Sequence, residues 1–225
     1  MERTPEPDLM DDEEQARAYA YADFSEPHDR FVALFRERLP SAAPRLFLDL
    51  GCGPGDVSRR LARAFPAARV IGLDGARAML DLGREQTRAA GLDDRVDLRH
   101  AVLPTDPLPT ESPDAVVSNS LLHHLASPAA LWDTLRSLAR PGTAVFVMDL
   151  MRPTSSAQAR ALVERHAANE PEILRRDFEN SLHAAYRPDE VAAQIDRAGL
   201  EWLRVEPVGD RHLIAHGMAS AMENE

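Results

Sequence analysis

Short apolar runs alternate with amphipathic segments through the middle of the chain. Between the runs, apolar side chains recur three or four positions apart, as in the segment 56–65, where Leu61 and Phe65 share one face. This spacing is typical of amphipathic helices, whereas compact runs rich in branched residues indicate buried strands. The alternation predicts βαβ units around a mostly parallel sheet. The predicted strands of this central part are 45–50, 68–74, 114–120 and 143–150.

Further elements extend this pattern. A helix is predicted over 76–90 and ends at Gly91, because glycine favours the left-handed conformation that closes a helix. The segment 95–100 predicts a shorter strand. Ser127 followed by Pro128 predicts the start of another helix, since serine caps helices and proline suits the first helical position.

Two regions contain more residues than a simple βαβ repeat requires. Between the strand 143–150 and a last apolar stretch, "EWLRVEPV" (201–208), lies a helical pattern longer than one crossover helix requires. Within it, we expect 154–187 to form a helical lid over a substrate. Residues 1–40 are expected to form a helical cap segment whose acidic start is frayed. The remainder, 41–225, is then one domain that includes the lid.

Composition and charge favour a globular domain and argue against nucleic-acid and membrane partners. The 225 residues are 44% hydrophobic and 28% charged, which suits a globular α/β domain. The net charge of -11 has no compensating block of lysine and arginine, which argues against a nucleic-acid partner. Neither a long apolar run nor a basic, apolar leader is present, so we expect a cytoplasmic protein without a membrane partner. Cys52 is the only cysteine, which excludes an internal disulfide and a multi-cysteine zinc site, and no metal is expected.

A glycine-rich loop stands between the first predicted strand and its helix. Residues without Cβ allow a sharp turn and let a ligand approach the backbone. The dinucleotide fingerprint would place a glycine at position 56, where Asp56 stands, and no Gly-Lys-Ser/Thr follows for a phosphate-binding loop. Asp49 and Asp56 flank the loop and would repel a pyrophosphate, but they suit a ligand that presents an ammonium and a sulfonium. The loop glycines are Gly51, Gly53 and Gly55.

Three stretches together resemble the class I S-adenosylmethionine-dependent methyltransferases. They are "LDLGCGPG", "VIGLDGARAML" with Asp74 ending the strand, and "DAVVSNSLLHHL". The resemblance is close over 45–150 and continues through a helix and two strands near the C-terminus. It implies an α/β, Rossmann-like three-layer sandwich with a seven-stranded, mostly parallel sheet and an antiparallel last strand. A helical N-terminal cap and a helical insertion after the fifth strand complete this expectation.

The resemblance also implies S-adenosylmethionine as cofactor and assigns residues to it. Asp49 would lie near the ammonium, and Asp74 would accept both ribose hydroxyls. Many relatives carry an acid after the third strand for the adenine amino group, whereas this chain reads "RHAVLP" there, so backbone or other contacts must replace it. The expected cofactor-binding residues are Asp49, Gly51, Cys52, Gly53, Gly55, Asp74, Gly75, Met79, Ala101, Val102, Asn119 and Ser120.

The acceptor side is predicted from residue chemistry. The sulfonium methyl is already activated, so positioning and exclusion of water are the main tasks, and a base is optional. His124 and His123 are the catalytic candidates because imidazole takes a proton near neutral pH, with packing or capping as the alternative. An arginine could bind a carboxylate or phosphate group of a small acceptor, or it could form a surface ion pair instead. The expected acceptor-binding residues are Tyr19, Tyr21, His28, Arg152, His183 and Tyr186.

These features predict a methyltransferase that acts on a small-molecule acceptor, as a monomer or homodimer. Methylation of a protein or tRNA site is one alternative, although the acidic charge disfavours tRNA. A second alternative is a non-catalytic S-adenosylmethionine sensor or interaction module. A third is a reaction that modifies the cofactor methyl group rather than transferring it.

Overall fold

The computed structural model describes residues 1–6 and 13–220 and forms one seven-stranded sheet in the order β3-β2-β1-β4-β5-β7-β6. Strands β1 to β5 run parallel, and β7 is antiparallel to both β5 and β6. The predicted sheet, with its antiparallel last strand, is therefore confirmed. The strands are β1 Leu46–Leu50, β2 Arg69–Asp74, β3 Val96–His100, β4 Ala115–Asn119, β5 Ala144–Leu150, β6 Arg204–Val208 and β7 His212–Met218.

Helices cover both faces of this sheet, which confirms the three-layer architecture. On one face Phe31 and Phe35 pack with Phe146 of β5, and on the other Trp132 packs in a cluster with Val145. Because β5 is buried on both faces, its sequence is almost entirely apolar. The helices are α1 Glu13–Tyr21, α2 Ser25–Arg38, α3 Asp56–Ala64, α4 Arg77–Ala89, α5 Ala129–Leu138, α6 Ser156–His166, α7 Glu172–Ala184 and α8 Pro188–Arg197, with a 3₁₀ turn at Leu122–His124.

The predicted start of one helix is displaced, and a strand occupies only part of the apolar stretch 201–208. Helix α5 begins at Ala129, and Ser127 contributes its backbone carbonyl to the Ala130 N–H rather than capping the helix with its side chain. Strand β6 begins at Arg204 because the Leu203 N–H donates to the Leu200 carbonyl and holds the preceding residues in a turn. Both differences arise from local hydrogen bonds that hydrophobic spacing does not encode.

The cap and the insertion are helical, as predicted. Helix α1 packs on α4 through Ala16, which meets Met79 in a small cluster. Helices α6 and α7 have a cluster of their own that includes Leu162 and Leu182. None of the helices within the two described ranges is long and apolar enough to cross a membrane.

The first residues of the chain lie on the insertion. The amino group of Met1 donates to the carbonyl of Thr154 at 2.9 Å, and the Thr4 N–H donates to the carbonyl of His183 at 3.0 Å. The expectation of a frayed start is therefore wrong for residues 1–6. The rest of that acidic start, 7–12, lies outside the described residues.

Candidate functional site

The glycine loop is fastened to the end of β2. The N–H groups of Gly51 and Cys52 both donate to the carbonyl of Leu73, at 2.8 and 3.0 Å. Gly51 has a φ of 71°, and a Cβ there would lie 2.7 Å from the side chain of Leu121. Gly53 has a φ of 52° and faces open space. The loop therefore needs glycine for its turn at both positions and for close packing at the first.

Asp74 joins this loop to the start of α4. Its Oδ2 accepts the Gly53 N–H at 2.7 Å, and its Oδ1 accepts the Ala76 N–H at 2.8 Å. A carboxylate has about four lone-pair sites, so two backbone donors are compatible with further hydroxyl donors from a ligand. The acid at the carboxyl end of β2 is thus held in place by the backbone that surrounds it.

Asp49, near the end of β1, occupies a different environment. Its side chain is 1% exposed, its Oδ2 accepts the Ser58 hydroxyl at 2.5 Å, and its Oδ1 has no hydrogen-bond partner among the described residues. Burial raises the pKa of Asp49 to about 7, the charge of Asp74 adds to this rise, and the Ser58 hydrogen bond opposes it. A positively charged donor beside Oδ1 would satisfy this oxygen and favour the carboxylate.

One cavity of about 720 Å³ connects these groups with the cap and the 3₁₀ turn. Ser25 and Arg60 also line it, although the sequence pattern did not single them out. Their place on the wall follows from the fold of the cap onto the loop. The predicted site residues that line the cavity are Tyr19, His28, Asp49, Gly51, Cys52, Gly53, Asp74, Gly75, Met79, Ala101, Val102, Asn119, Ser120 and His124.

Three predicted site residues near the cavity, which are Gly55, Tyr21 and His123, do not line it. Gly55 lies at the N-cap of α3 with a φ of 75°, where a Cβ would meet Leu98 at 2.9 Å. Tyr21 ends α1 and is 66% exposed. His123 also lies outside the lining, behind its neighbour on the turn.

The predicted acceptor residues of the insertion, namely Arg152, His183 and Tyr186, lie outside the cavity lining as well. Arg152 is buried and donates to the Ala185 carbonyl and to Glu190. The Tyr186 ring lies 4.2 Å from the guanidinium carbon of Arg3. These contacts link the insertion to the rest of the chain, and a role in acceptor binding stays a prediction.

His28 and Asp56 link the cap to the loop helix. His28 Nδ1 lies 2.7 Å from Asp56 Oδ2, and the Arg60 side chain donates to the same oxygen at 2.8 Å. Burial by itself would raise the pKa of Asp56, but the hydrogen bonds from His28 and Arg60 outweigh it and hold the pKa well below its usual range. Asp56 therefore serves as an anchor for α2 at the position where a dinucleotide loop has glycine.

The two histidines of the 3₁₀ turn differ in their surroundings. His124 lines the cavity, whereas His123 is 2% exposed and its Nδ1 lies 2.5 Å from Asp149 Oδ1. Burial alone would lower the pKa of His123, but Asp149 and Glu6 outweigh it and raise the pKa. Glu6 Oε1 lies 3.5 Å from His123 Nε2 and 3.2 Å from His124 Nδ1. Sequence reasoning missed Glu6, because no pattern links the acidic start of the chain to this turn.

Strand order, glycine loop and strand-ending acid together define a Rossmann-like methyltransferase fold. Residues 47–143 match the family model described as a methyltransferase domain. Over this region the chain carries a methyltransferase domain of the class I, S-adenosylmethionine-dependent type.

Curated relatives carry methyltransferase names. A trans-aconitate 2-methyltransferase of Methylobacterium radiotolerans is 36% identical over 137 residues, which cover 60% of this chain and 50% of the relative. The enzyme of the same name from Acidovorax sp. is 30% identical over 164 residues, with 68% of this chain and 61% of the relative covered. The chain therefore spans between half and two thirds of the length of these relatives.

A solved structure supports the fold. Human N-acetylserotonin methyltransferase in complex with S-adenosylmethionine superposes with a TM-score of 0.62 at 15% identity, over 92% of this chain and 57% of that one. At this identity the likeness concerns the fold alone.

Proposed function

We propose that this protein transfers the methyl group of S-adenosylmethionine to a small-molecule acceptor bound beside the glycine loop. The observation that carries the proposal is the cavity of about 720 Å³ bordered by the loop and Asp74 on one side and by the cap and His124 on the other. Small-molecule sites have volumes of about 300–1,000 Å³. A donor and a compact acceptor would share this space, which favours in-line positioning, and together they would displace water from it.

The residues on the cofactor side fit the cofactor. Asp49 would offer the ammonium of the methionyl group a buried oxygen that has no partner within 1–6 and 13–220, and the open space at Gly53 would let that group approach the backbone. Asp74 would accept the ribose hydroxyls. When bound, S-adenosylmethionine supplies an activated methyl group, so the residues of the chain need only bind, orient and shield it.

Adenine binding would depend mainly on apolar contact. The Val102 N–H donates to Asp106 at 2.9 Å, and the Ala101 N–H donates to the Asp74 carbonyl at 3.0 Å. Because both N–H groups already donate to acceptors of the protein, the adenine ring would bind mainly by packing against Met79 and its neighbours on the cavity wall. Removal of apolar surface from water contributes about 25 cal/mol per Å².

An anionic acceptor is the first class to test. The cavity wall carries His28, Arg60 and His124, while Asp56 and Asp29 share the charge of Arg60. The relatives named trans-aconitate 2-methyltransferase make trans-aconitate a natural first compound. A carboxylate acceptor is already a nucleophile and would need no base, whereas a hydroxyl or ammonium acceptor would lose a proton, for which His124 is the candidate base.

The test is a turnover assay with purified protein, S-adenosylmethionine and trans-aconitate, followed by a panel of small carboxylic acids and a metabolite extract. Mass spectrometry should detect S-adenosylhomocysteine and a methylated product in equal amounts. Asp74→Asn should reduce both, while Asp81→Asn, an exposed acid of the neighbouring helix, serves as the matched control. Methylation confined to protein or tRNA fractions would contradict the small-molecule proposal, and cofactor binding without any methylated product would favour a sensor.

A further inference from the structure

Glu6, His123 and His124 bring three metal-ligating side chains together at the edge of the cavity. We propose that they form a binding site for one divalent transition-metal ion of the Zn²⁺ type. One oxygen of Glu6 and one ring nitrogen from each histidine lie within 4.8 Å of one another. His124 is the member of this cluster that lines the cavity, and the site does not depend on the identity of the acceptor.

The spacing of the ligand atoms matches such an ion. Zinc bonds of about 2.0–2.2 Å to nitrogen and oxygen place adjacent tetrahedral ligands about 3.4 Å apart. Glu6 Oε1 lies 3.2 Å from His124 Nδ1 and 3.5 Å from His123 Nε2. Two of the three edges of the ligand triangle therefore have the length that a tetrahedral ion needs.

Asp149 orients His123 for this task. The 2.5 Å contact between Asp149 Oδ1 and His123 Nδ1 places the proton on that side of the ring and turns Nε2 toward Glu6. Asp149 is itself held by the N–H groups of Leu122 and Leu150, both at 2.8 Å. Histidine ligands of metals commonly donate their other N–H to a carboxylate, which fixes the ring and increases its basicity.

Charge compensation favours the same conclusion. Asp149 and Glu6 bring two carboxylates into a region where their side chains are 2% and 12% exposed. Both carboxylates favour a positive charge between them, and a divalent cation held by the imidazoles supplies one. Three protein ligands leave a further coordination position, which a water or an acceptor oxygen would fill. Because His124 lines the cavity, the ion would border the acceptor space.

Metal binding is tested directly on full-length protein without a histidine tag. After treatment with a chelator, the protein is titrated with Zn²⁺ by calorimetry and with Co²⁺ by visible absorption, since Co²⁺ reports its own coordination. We expect one equivalent of each metal and an absorption band of four- or five-coordinate Co²⁺. Glu6→Gln and His124→Asn should each weaken binding at least tenfold, and Asp149→Asn by about 10- to 100-fold.

Two controls make the result decisive. His166→Ala removes an exposed histidine that pairs with Asp210, and Glu2→Gln removes another acid of the same segment. Neither should change the affinity. Circular dichroism melts confirm that Glu6→Gln and His124→Asn fold, which matters because the buried His123 is a less tolerant position for substitution. Failure to bind either metal, or binding that survives Glu6→Gln and His124→Asn but is lost with His166→Ala, would overturn the proposal.

Discussion

Asp49 and Asp74 lie at or near the ends of adjacent strands, yet their surroundings compensate the negative charge of the two carboxyl groups to different extents. Asp74 accepts two backbone N–H groups, so its charge is compensated by fixed donors. Asp49 has the Ser58 hydroxyl on one oxygen, and burial raises its pKa to about 7. Asp74 is thus a preformed acceptor of hydrogen bonds. Asp49 would be fully stabilised as a carboxylate only when a positively charged group binds beside it.

The pH dependence of stability should report this state of Asp49. A carboxyl group whose folded pKa lies above its unfolded value stabilises the fold most below the unfolded pKa, and this contribution is lost as the pH rises. From about pH 4 to pH 7, the cofactor-free protein should therefore lose stability relative to Asp49→Asn, by a few kcal/mol at most. Urea unfolding of both proteins between pH 4.5 and 8 measures the difference. Parallel curves would mean that Asp49 stays ionised throughout.

Asp74→Asn should weaken the binding of S-adenosylmethionine and S-adenosylhomocysteine by about 1.5–3 kcal/mol, because hydrogen bonds to a charged group contribute that much. The amide keeps only one acceptor oxygen, so one of the two backbone N–H groups loses its partner and the unfolding midpoint should fall as well. Calorimetric titration of folded mutant and wild type gives the affinity ratio. Equal affinity in a folded mutant would remove Asp74 from the ribose-binding role.

At the scale of elements, the glycine loop offers a matched pair of substitutions. Gly51 and Gly53 both have positive φ, so alanine costs about 1–2 kcal/mol of backbone strain at either position. Only at Gly51 would the new methyl group meet a neighbour, since it would lie 2.8 Å from Leu121 Cβ. Alanine at Gly53 therefore adds backbone strain alone, whereas alanine at Gly51 adds both backbone strain and steric overlap.

We expect Gly51→Ala to lower the free energy of unfolding by about 1–3 kcal/mol more than Gly53→Ala, because overpacking adds to the strain. Gly53→Ala should instead weaken cofactor binding, since its methyl group would point into open space beside the cavity. Urea denaturation and calorimetry of the two variants test these effects. Equal unfolding midpoints would show that Leu121 moves aside at no cost.

The strands and the glycine loop could be predicted because each is encoded locally. The buried strand β5 reads as seven consecutive residues that are nearly all apolar, and the loop requires glycine at fixed positions. The start of α5 could not be predicted, because Ser127 is a favourable capping residue whose carbonyl is used instead. Hydrophobic periodicity predicts the existence of an element better than its first residue.

The first residues of the chain connect the insertion to the 3₁₀ turn. Arg3 donates to the carbonyls of Ala184 and His123, and its guanidinium lies over the ring of Tyr186. A cation over an aromatic ring contributes about 0.5–2 kcal/mol. This segment thus stabilises the arrangement of α7 against the site.

Arg3→Ala should increase amide hydrogen exchange in α7 by about two- to thirty-fold, which corresponds to the loss of that interaction. Arg17→Ala, an exposed arginine of α1, is the control and should leave α7 unchanged. Exchange followed by mass spectrometry resolves the peptides of 172–184. If both variants exchange like the wild type, Arg3 does not hold the insertion.

Long-range contacts explain what the sequence could not reveal about the site. The positions of Asp49, Asp74 and the glycines follow from the strand ends of one sheet, where parallel strands bring their carboxyl ends to the same edge. Glu6 meets His123 and His124 only because the chain folds back across the insertion. Contacts of this kind leave no periodicity in the sequence, so only the folded chain reveals them.

The match to the methyltransferase family covers residues 47–143, and it begins after α2 and ends before α6. Helices α6 and α7 pack mainly through a cluster of their own, apart from the strands that carry the loop and Asp74. In evolutionary terms, a lineage could inherit the methyl donor from its ancestor unchanged while these helices and the cap diverge. Similarity over the central region would then reflect a common methyl donor. A change of acceptor would instead arise from substitutions in the segments 13–38 and 156–184.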